Sequence, residues 1–364
     1  MSVEAEVYGI ESDERETLLS WLEKGLRDGR RGRLRAEYPV SLEEGAAECH
    51  RVVLEAGHPV AHAMWHVALM QADAVRVPIG MIGLVYTDPA SRGRGLARAC
   101  IEACLRDLAA RGVPVAALWS DRHALYARLG FHPAGREKLY GVDGPICRRA
   151  QPEARRPIVA PARTRDFPQL EALYAAKRIR VRRSPGALAA LASAPDTAIV
   201  VAREGDEPLA YAALGRGDDF PGVVHEWAGD PRGVLACLEA LCSEGGAVGW
   251  LGGPLDAEPG PALLRAGASV HPGAFGLVRL LDAGELWRSF APSLSERVRF
   301  ESVEGAVALA GGRGAVRLDM AEALSLLFDG RISARARRAL TPSERDALRE
   351  HLPLPLYVWG FDSI

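Results

Sequence analysis

Between residues 14 and 26, Leu18, Leu19, Leu22 and Leu26 recur at the spacing that lines one face of an α-helix, so the chain is predicted to open on an amphipathic helix. The period then changes. Residues 50–55, 60–69 and 75–87 are rich in apolar and β-branched side chains and are bounded by turn residues, which predicts three strands. Helical spacing returns at 96–108, with Leu96, Cys100, Ala103, Cys104 and Leu108 on one stripe. A strand at 113–119, a short helix at 122–129 and an extended piece after Phe131 follow. Helices and strands interleaved in this way predict an α/β fold on a mixed sheet.

A charged, proline-flanked stretch from Arg148 to Pro157 reads as a linker, and the rhythm restarts beyond it. The pattern predicts a helix at 166–178, a hairpin of 197–202 and 209–214 around Glu204-Gly205-Asp206-Glu207, and a strand at 223–227. A helix at 233–242, a strand at 247–251 and a short helix at 262–267 complete what reads as a diverged copy of the first unit. A third unit holds a hairpin of 306–310 and 315–319, turning on Gly311-Gly312-Arg313-Gly314, and a helix at 321–328. The expected division is therefore 1–150, 156–282 and a small α+β unit at 283–364, and 364 residues exceed what one core usually supports.

Composition narrows the function. A formal charge of −2 argues against bulk binding to nucleic acid. The basic run from Lys177 to Arg183 has no interleaved aromatics for stacking, so it reads as a solvated face or the edge of a site for an anionic acceptor. None of the six cysteines forms a C-x-x-C pair, and Cys100 and Cys104 fall on the apolar stripe as small buried thiols. His62 and His66 are four apart, but on a strand they stand roughly 13 Å apart at ~3.3 Å per residue, too far for one ion. They read as sheet-face residues or as lining for an acceptor site, and no metal is expected. The start of the chain is acidic without an apolar signal core, and no run approaches ~18 apolar residues, so a reduced, cytoplasmic protein with no membrane partner is expected. A homo-oligomer is left open. Residues 217–227 place several ionisable groups on a turn and strand, either beside an acceptor cleft between units or as local turn chemistry.

The informative segment is Gly83-Leu84-Val85-Tyr86-Thr87-Asp88-Pro89-Ala90-Ser91-Arg92-Gly93-Arg94-Gly95-Leu96-Ala97. A strand ends in a proline turn, and a basic, glycine-rich loop then opens a helix. The first N–H groups of a helix lack internal partners and point along the positive end of its dipole, so such a loop is a natural anion site. Gly93 and Gly95 let backbone approach a pyrophosphate, while Arg92, Arg94 and Arg98 add charge. A dinucleotide fingerprint is excluded, because the third glycine would have to be Arg98.

Arg92-Gly93-Arg94-Gly95-Leu96-Ala97 resembles the Q/R-x-x-G-x-G/A acyl-CoA motif of the GNAT (GCN5-related N-acetyltransferase) superfamily. Downstream, Tyr126-Ala127-Arg128-Leu129-Gly130-Phe131 resembles that superfamily's Y-x-x-x-G-F signature, in the right order, with a helix and a strand between the two. The resemblance spans about residues 5–140. It implies a GNAT fold and an acetyl-CoA-dependent N-acetyltransferase acting on a primary amine of a small molecule or peptide, with direct transfer in a ternary complex. A non-catalytic acyl-CoA-binding regulator is the alternative. The same resemblance puts Val85 and Thr87 on the pantetheine arm and Arg92, Gly93, Arg94, Gly95, Leu96, Ala97 and Arg98 on the pyrophosphate. It makes Tyr126 the acid for the leaving thiolate, where the residues alone would allow a packed aromatic.

Asp230-Pro231-Arg232-Gly233 lacks the motif, so the second unit is expected to bind no CoA. A tandem GNAT pair with a small third unit resembles the enhanced-intracellular-survival acetyltransferases, which implies a sterol-carrier-protein-like third domain and a tail that enters the active site. The tail here, residues 352–364, is strongly apolar, and the resemblance makes the Ile364 carboxylate a candidate catalytic group. The tail departs from that family in length and lacks close tail motifs.

Overall fold

A computed structural model describes residues 6–30, 32–43, 46–151, 156–255 and 259–364. The predicted opening helix is Arg15–Leu26, and it buries Leu18, Leu19 and Leu22. Strands His50–Glu55, His58–Ala72 and Val75–Thr87 form an antiparallel ladder, and Leu96–Ala110 packs its Leu96, Cys100, Ile101, Cys104, Leu105 and Leu108 stripe against them. Gly80 permits that approach, since a Cβ there would come within 2.5 Å of Leu108 Cδ1. Cys49 is half-buried and the other five thiols are buried, all six free. No helix among the described residues is long and apolar enough to cross a membrane.

The described residues form two seven-stranded mixed sheets and one three-stranded antiparallel sheet. The large sheets do not follow the chain division at 150. Gly276–Leu280, late in the second unit, pairs antiparallel with both Val115–Leu118 and His132–Ala134 in the first sheet. Reciprocally, Glu137–Val142 leaves the first unit and lies between Val248–Gly252 and Ser269–Gly273 in the second sheet. The first sheet thus carries two strands from the second unit, Gly276–Leu280 and Ile179–Val181, and the second sheet one from the first. The exchanged strands bring apolar faces with them, Tyr140 and Val142 in one direction, Leu277, Val278 and Leu280 in the other. The third sheet, Arg299–Val303, Ala306–Gly311 and Gly314–Asp319, is a meander backed by helices Met320–Asp329 and Ala334–Ala339.

The basic run at 177–183 is a solvated face only in part, with Arg178 and Arg182 exposed and the rest partly or wholly buried. Ile179–Val181 is a strand on Met70–Ala72, which is why the preceding helix stops at Ala175 rather than reaching 178. Lys177 Nζ lies 3.6 Å from the Trp227 ring centroid and 3.9 Å from that of Trp359, and Arg183 is buried against two carboxylates. Alternation hid this: Ile179 and Val181 face the core while Arg180 does not.

Candidate active site

The glycine-rich loop is open in the way an anion cradle requires. Asp88 caps the turn through a bond from the Ala90 N–H, and Gly93 (φ 79°) and Gly95 (φ 81°) take left-handed conformations before Leu96 starts the helix. No atom lies within 4 Å of where a Cβ would stand on either glycine, so the backbone there faces free space. That space is a cleft of about 740 Å³. Val85, Thr87, Arg92, Gly93, Gly95, Leu96, Ala97 and Arg98 all line it. Arg94 is the exception among the predicted residues, its guanidinium pairing with Glu55 at 2.6 Å. Two further cations, Arg122 and Arg128, line the same cleft from the Tyr126 segment. Sequence reasoning missed them, although Arg128 sits inside the second motif and Arg122 four residues before it. Free backbone at a helix start, surrounded by arginines, fits a pyrophosphate, and the donor set fits the CoA end of an acyl thioester.

A second cleft of about 390 Å³ continues from the first, sharing Leu26, Val85, Ser120 and Tyr126 with it. It exists because two parallel strands part. Val75–Thr87 and Val115–Leu118 pair only at Ile79–Met81 against Val115–Ala117, and beyond that point Ile82–Val85 and Leu118–Ser120 diverge into the cleft walls. Tyr126 stands where the two clefts meet, 6% exposed, with its ring edge-on to Phe131 at 6.2 Å. Burial pushes its phenol up from the ordinary value, against a lowering hydrogen bond with Ser120, so the group holds its proton. Ile364 lines the second cleft from the opposite end of the chain, close enough to Gly83 that a Cβ there would fall 2.8 Å from the carboxyl carbon. The two predicted catalytic residues therefore share one cavity. Arg27, Tyr38, Arg216, Asp219 and Phe220 also line it, so two residues of the turn at 217–220 belong to the cleft.

The wall is shaped by a bulge the sequence did not announce. Register shifts between His62 and Met64, so that Leu84 and Val85 together oppose Ala63, and Leu84 takes a φ of 49°. His62 Nδ1 lies 2.8 Å from the Leu84 carbonyl, which only accepts, so Nδ1 carries the hydrogen. His62 Nε2 then accepts from His50 Nδ1 at 2.9 Å. Both rings are wholly buried and neutral, with burial driving His62 down to about 4 and His50 to about 2. His50 pairs with Met64 and His62 with Val52, so the two rings meet diagonally across the ladder, a contact the sequence pattern does not signal.

At 230–233 and between the parallel strands of the second sheet the chain is closed. Asp230 caps helix Pro231–Gly245 with its own carboxylate, and a Cβ on Gly233 would meet Ala210 Cβ at 2.7 Å. The parallel strands there also part, pairing only at Val223–Val224, but Trp227 fills the gap and donates to the Leu251 carbonyl at 2.8 Å.

Residues 29–134 match the family described as acetyltransferase (GNAT) domain. A search of curated proteins found no significant match. Among solved structures, a GCN5-related N-acetyltransferase from Anabaena variabilis superposes with a TM-score of 0.66 at 14% identity, over 99% of this chain and 100% of that one. A GCN5-related N-acetyltransferase from Kribbella flavida gives 0.65 at 15% identity, over 100% and 99%. Eis1 from Mycobacterium abscessus gives 0.64 at 17% identity, over 99% and 100%. At these identities the likeness establishes a shared fold along the whole chain.

Proposed function

We propose that this chain, an acyltransferase built on a GNAT acetyltransferase domain, moves the acetyl group of acetyl-CoA to a primary amine of a small molecule or peptide by direct attack in a ternary complex. The observation that carries the reading is the single continuous cavity in which an open anion cradle, Tyr126 and the Ile364 carboxylate meet.

Acetyl-CoA supplies an activated thioester. The loop at 92–98 holds its pyrophosphate through helix-start N–H groups and arginines, and the backbone of Val85 and Thr87 offers partners to the pantetheine arm. An ammonium cannot attack a carbonyl, so the acceptor must lose a proton first; the Ile364 carboxylate is the base placed to take it. Tyr126, kept protonated by burial, gives its phenolic proton to the departing thiolate and so prevents recapture of the acyl group. The second unit carries no cradle and the third unit delivers the tail. This supports reading 1–150 as catalytic, 156–282 as a degenerate GNAT-like unit and 283–364 as an accessory α+β unit.

Free CoA released with a panel of primary amines tests the proposal. Acetyl-CoA binding without amine-dependent release across the panel would favour a non-catalytic acyl-CoA sensor instead.

A further inference from the structure

Leu354 and Tyr357 of the tail bond to Leu327 and Glu137, but from Trp359 to Ser363 the side-chain partners of the tail come from the second unit. Trp359 donates through Nε1 to the Ile179 carbonyl at 3.0 Å and packs edge-on against Trp227 at 5.6 Å. Gly360 lies so close to His225 that any Cβ would collide with the ring. Arg183 holds Asp362 with two bonds, from Nε at 2.7 Å and Nη2 at 2.8 Å, and holds Glu226 with its other face. Tyr174 donates to Asp362 at 2.8 Å, and Tyr211 donates to Glu226 at 2.7 Å. Closest to the end is Arg216, 2% exposed, which donates to the carbonyls of Gly360 and Ser363 and to the Ser363 hydroxyl, and pairs with Asp219 at 2.8 Å.

We infer that the second GNAT-like unit acts as a socket for the tail and that Arg216 is a positioning residue holding Ser363 and Ile364 at the acceptor cleft. This rests on the reading of Ile364 as part of the site. A guanidinium is suited to the task because its planar fork fixes several oxygens at once. Two of its bonds go to main-chain carbonyls of the tail and none to the terminal carboxylate, so they orient the backbone on which Ile364 enters the cleft. The parting strands that hold a cofactor in the first unit hold Trp227, with Trp359 of the tail packed on it, in the second. Loss of the cradle and gain of the socket are thus one change of use for the same architecture.

The experiment is a cycle in the full-length protein, reading kcat and KM for the best amine, acetyl-CoA affinity and melting temperature. Deleting Ser363 and Ile364 is expected to lower kcat/KM by about 10²-fold, as for loss of a general base. Arg216→Met is expected to lower kcat/KM by at least about tenfold, chiefly in kcat, with acetyl-CoA affinity within about twofold. Arg216→Lys should recover part of the loss. Residues that act as a unit give non-additive losses, so Arg216→Met in the deleted background should cost less than about threefold more. Should Arg216→Met not fold, Ser363→Ala, which removes one acceptor of the guanidinium, is expected to lower kcat several-fold at unchanged melting temperature. If the deletion is inactive while Arg216→Met and Ser363→Ala leave kcat/KM intact, or if the losses simply add, the socket inference is overturned and the reading of Ile364 stands. If the deletion leaves activity intact, that reading fails and takes the inference with it.

Discussion

At position 95 a side chain would enter the free space beside the loop, where no atom now lies within 4 Å, and the left-handed backbone there suits only glycine. Gly95→Glu adds a negative charge to both handicaps. Calorimetry is expected to show no acetyl-CoA binding by the folded variant, and unchanged affinity would remove the cradle from this loop. Tyr126→Phe keeps the ring packed on Phe131 and removes only the acid. Turnover should fall by roughly 10²-fold with acetyl-CoA affinity nearly intact, whereas wild-type turnover would make Tyr126 a packing residue. Both residues were legible in the sequence because each sits in a short motif whose chemistry is local. Arg216 was not, because its partners in the tail lie 144 and 147 residues away.

The strand bulge belongs to the next scale. His62 satisfies the Leu84 carbonyl at a position where the ladder slips, and His50 in turn satisfies His62. The spacing of His62 and His66 suggested sheet-face or cleft-lining roles, yet the partner of His62 lies on the neighbouring strand, and strand pairing is not readable from one sequence. The arrangement has a pH signature. His50, His62 and His225 are depressed to about 2, 4 and 3, first by burial, so the folded state holds them neutral while the unfolded chain protonates them near ~6.5. The unfolded state therefore binds more protons below that value. Stability should be complete above it and fall as pH drops, by on the order of 1.4 kcal/mol per pH unit for each histidine. Glu137, pushed up to about 7 by burial, opposes about one histidine over the same window, so a net fall in stability between pH 7 and pH 5 by denaturant unfolding is expected, and a net gain would mean that these rings are not held neutral in the fold. Most elements themselves were legible: strands His50–Glu55 and Val75–Thr87 and helix Leu96–Ala110 begin where period and turn residues place them. The basic run at 177–183 misled because composition outweighed its two buried apolar positions.

Across the whole molecule, the two closed features of the second unit predict one acetyl-CoA per chain in calorimetry. Two sites would contradict the roles of the Asp230 cap and the packed Gly233. The exchanged strands also predict that a fragment of residues 1–150 melts without cooperativity, since it lacks Gly276–Leu280, while co-expression with 151–364 restores a single transition. A cooperative melt of the isolated fragment would show the exchange to be dispensable. Neither strand was assignable to its sheet from sequence, because an apolar run carries no address for a partner more than a hundred residues away.

That exchange also bears on descent. A stretch of chain outside the ligand cleft is ordinarily free to erode or be excised where nothing else depends on it. Here excision would strip the first sheet of the strand on which Val115–Leu118 and His132–Ala134 both hang, so the two stretches of chain are inherited together whatever either of them binds.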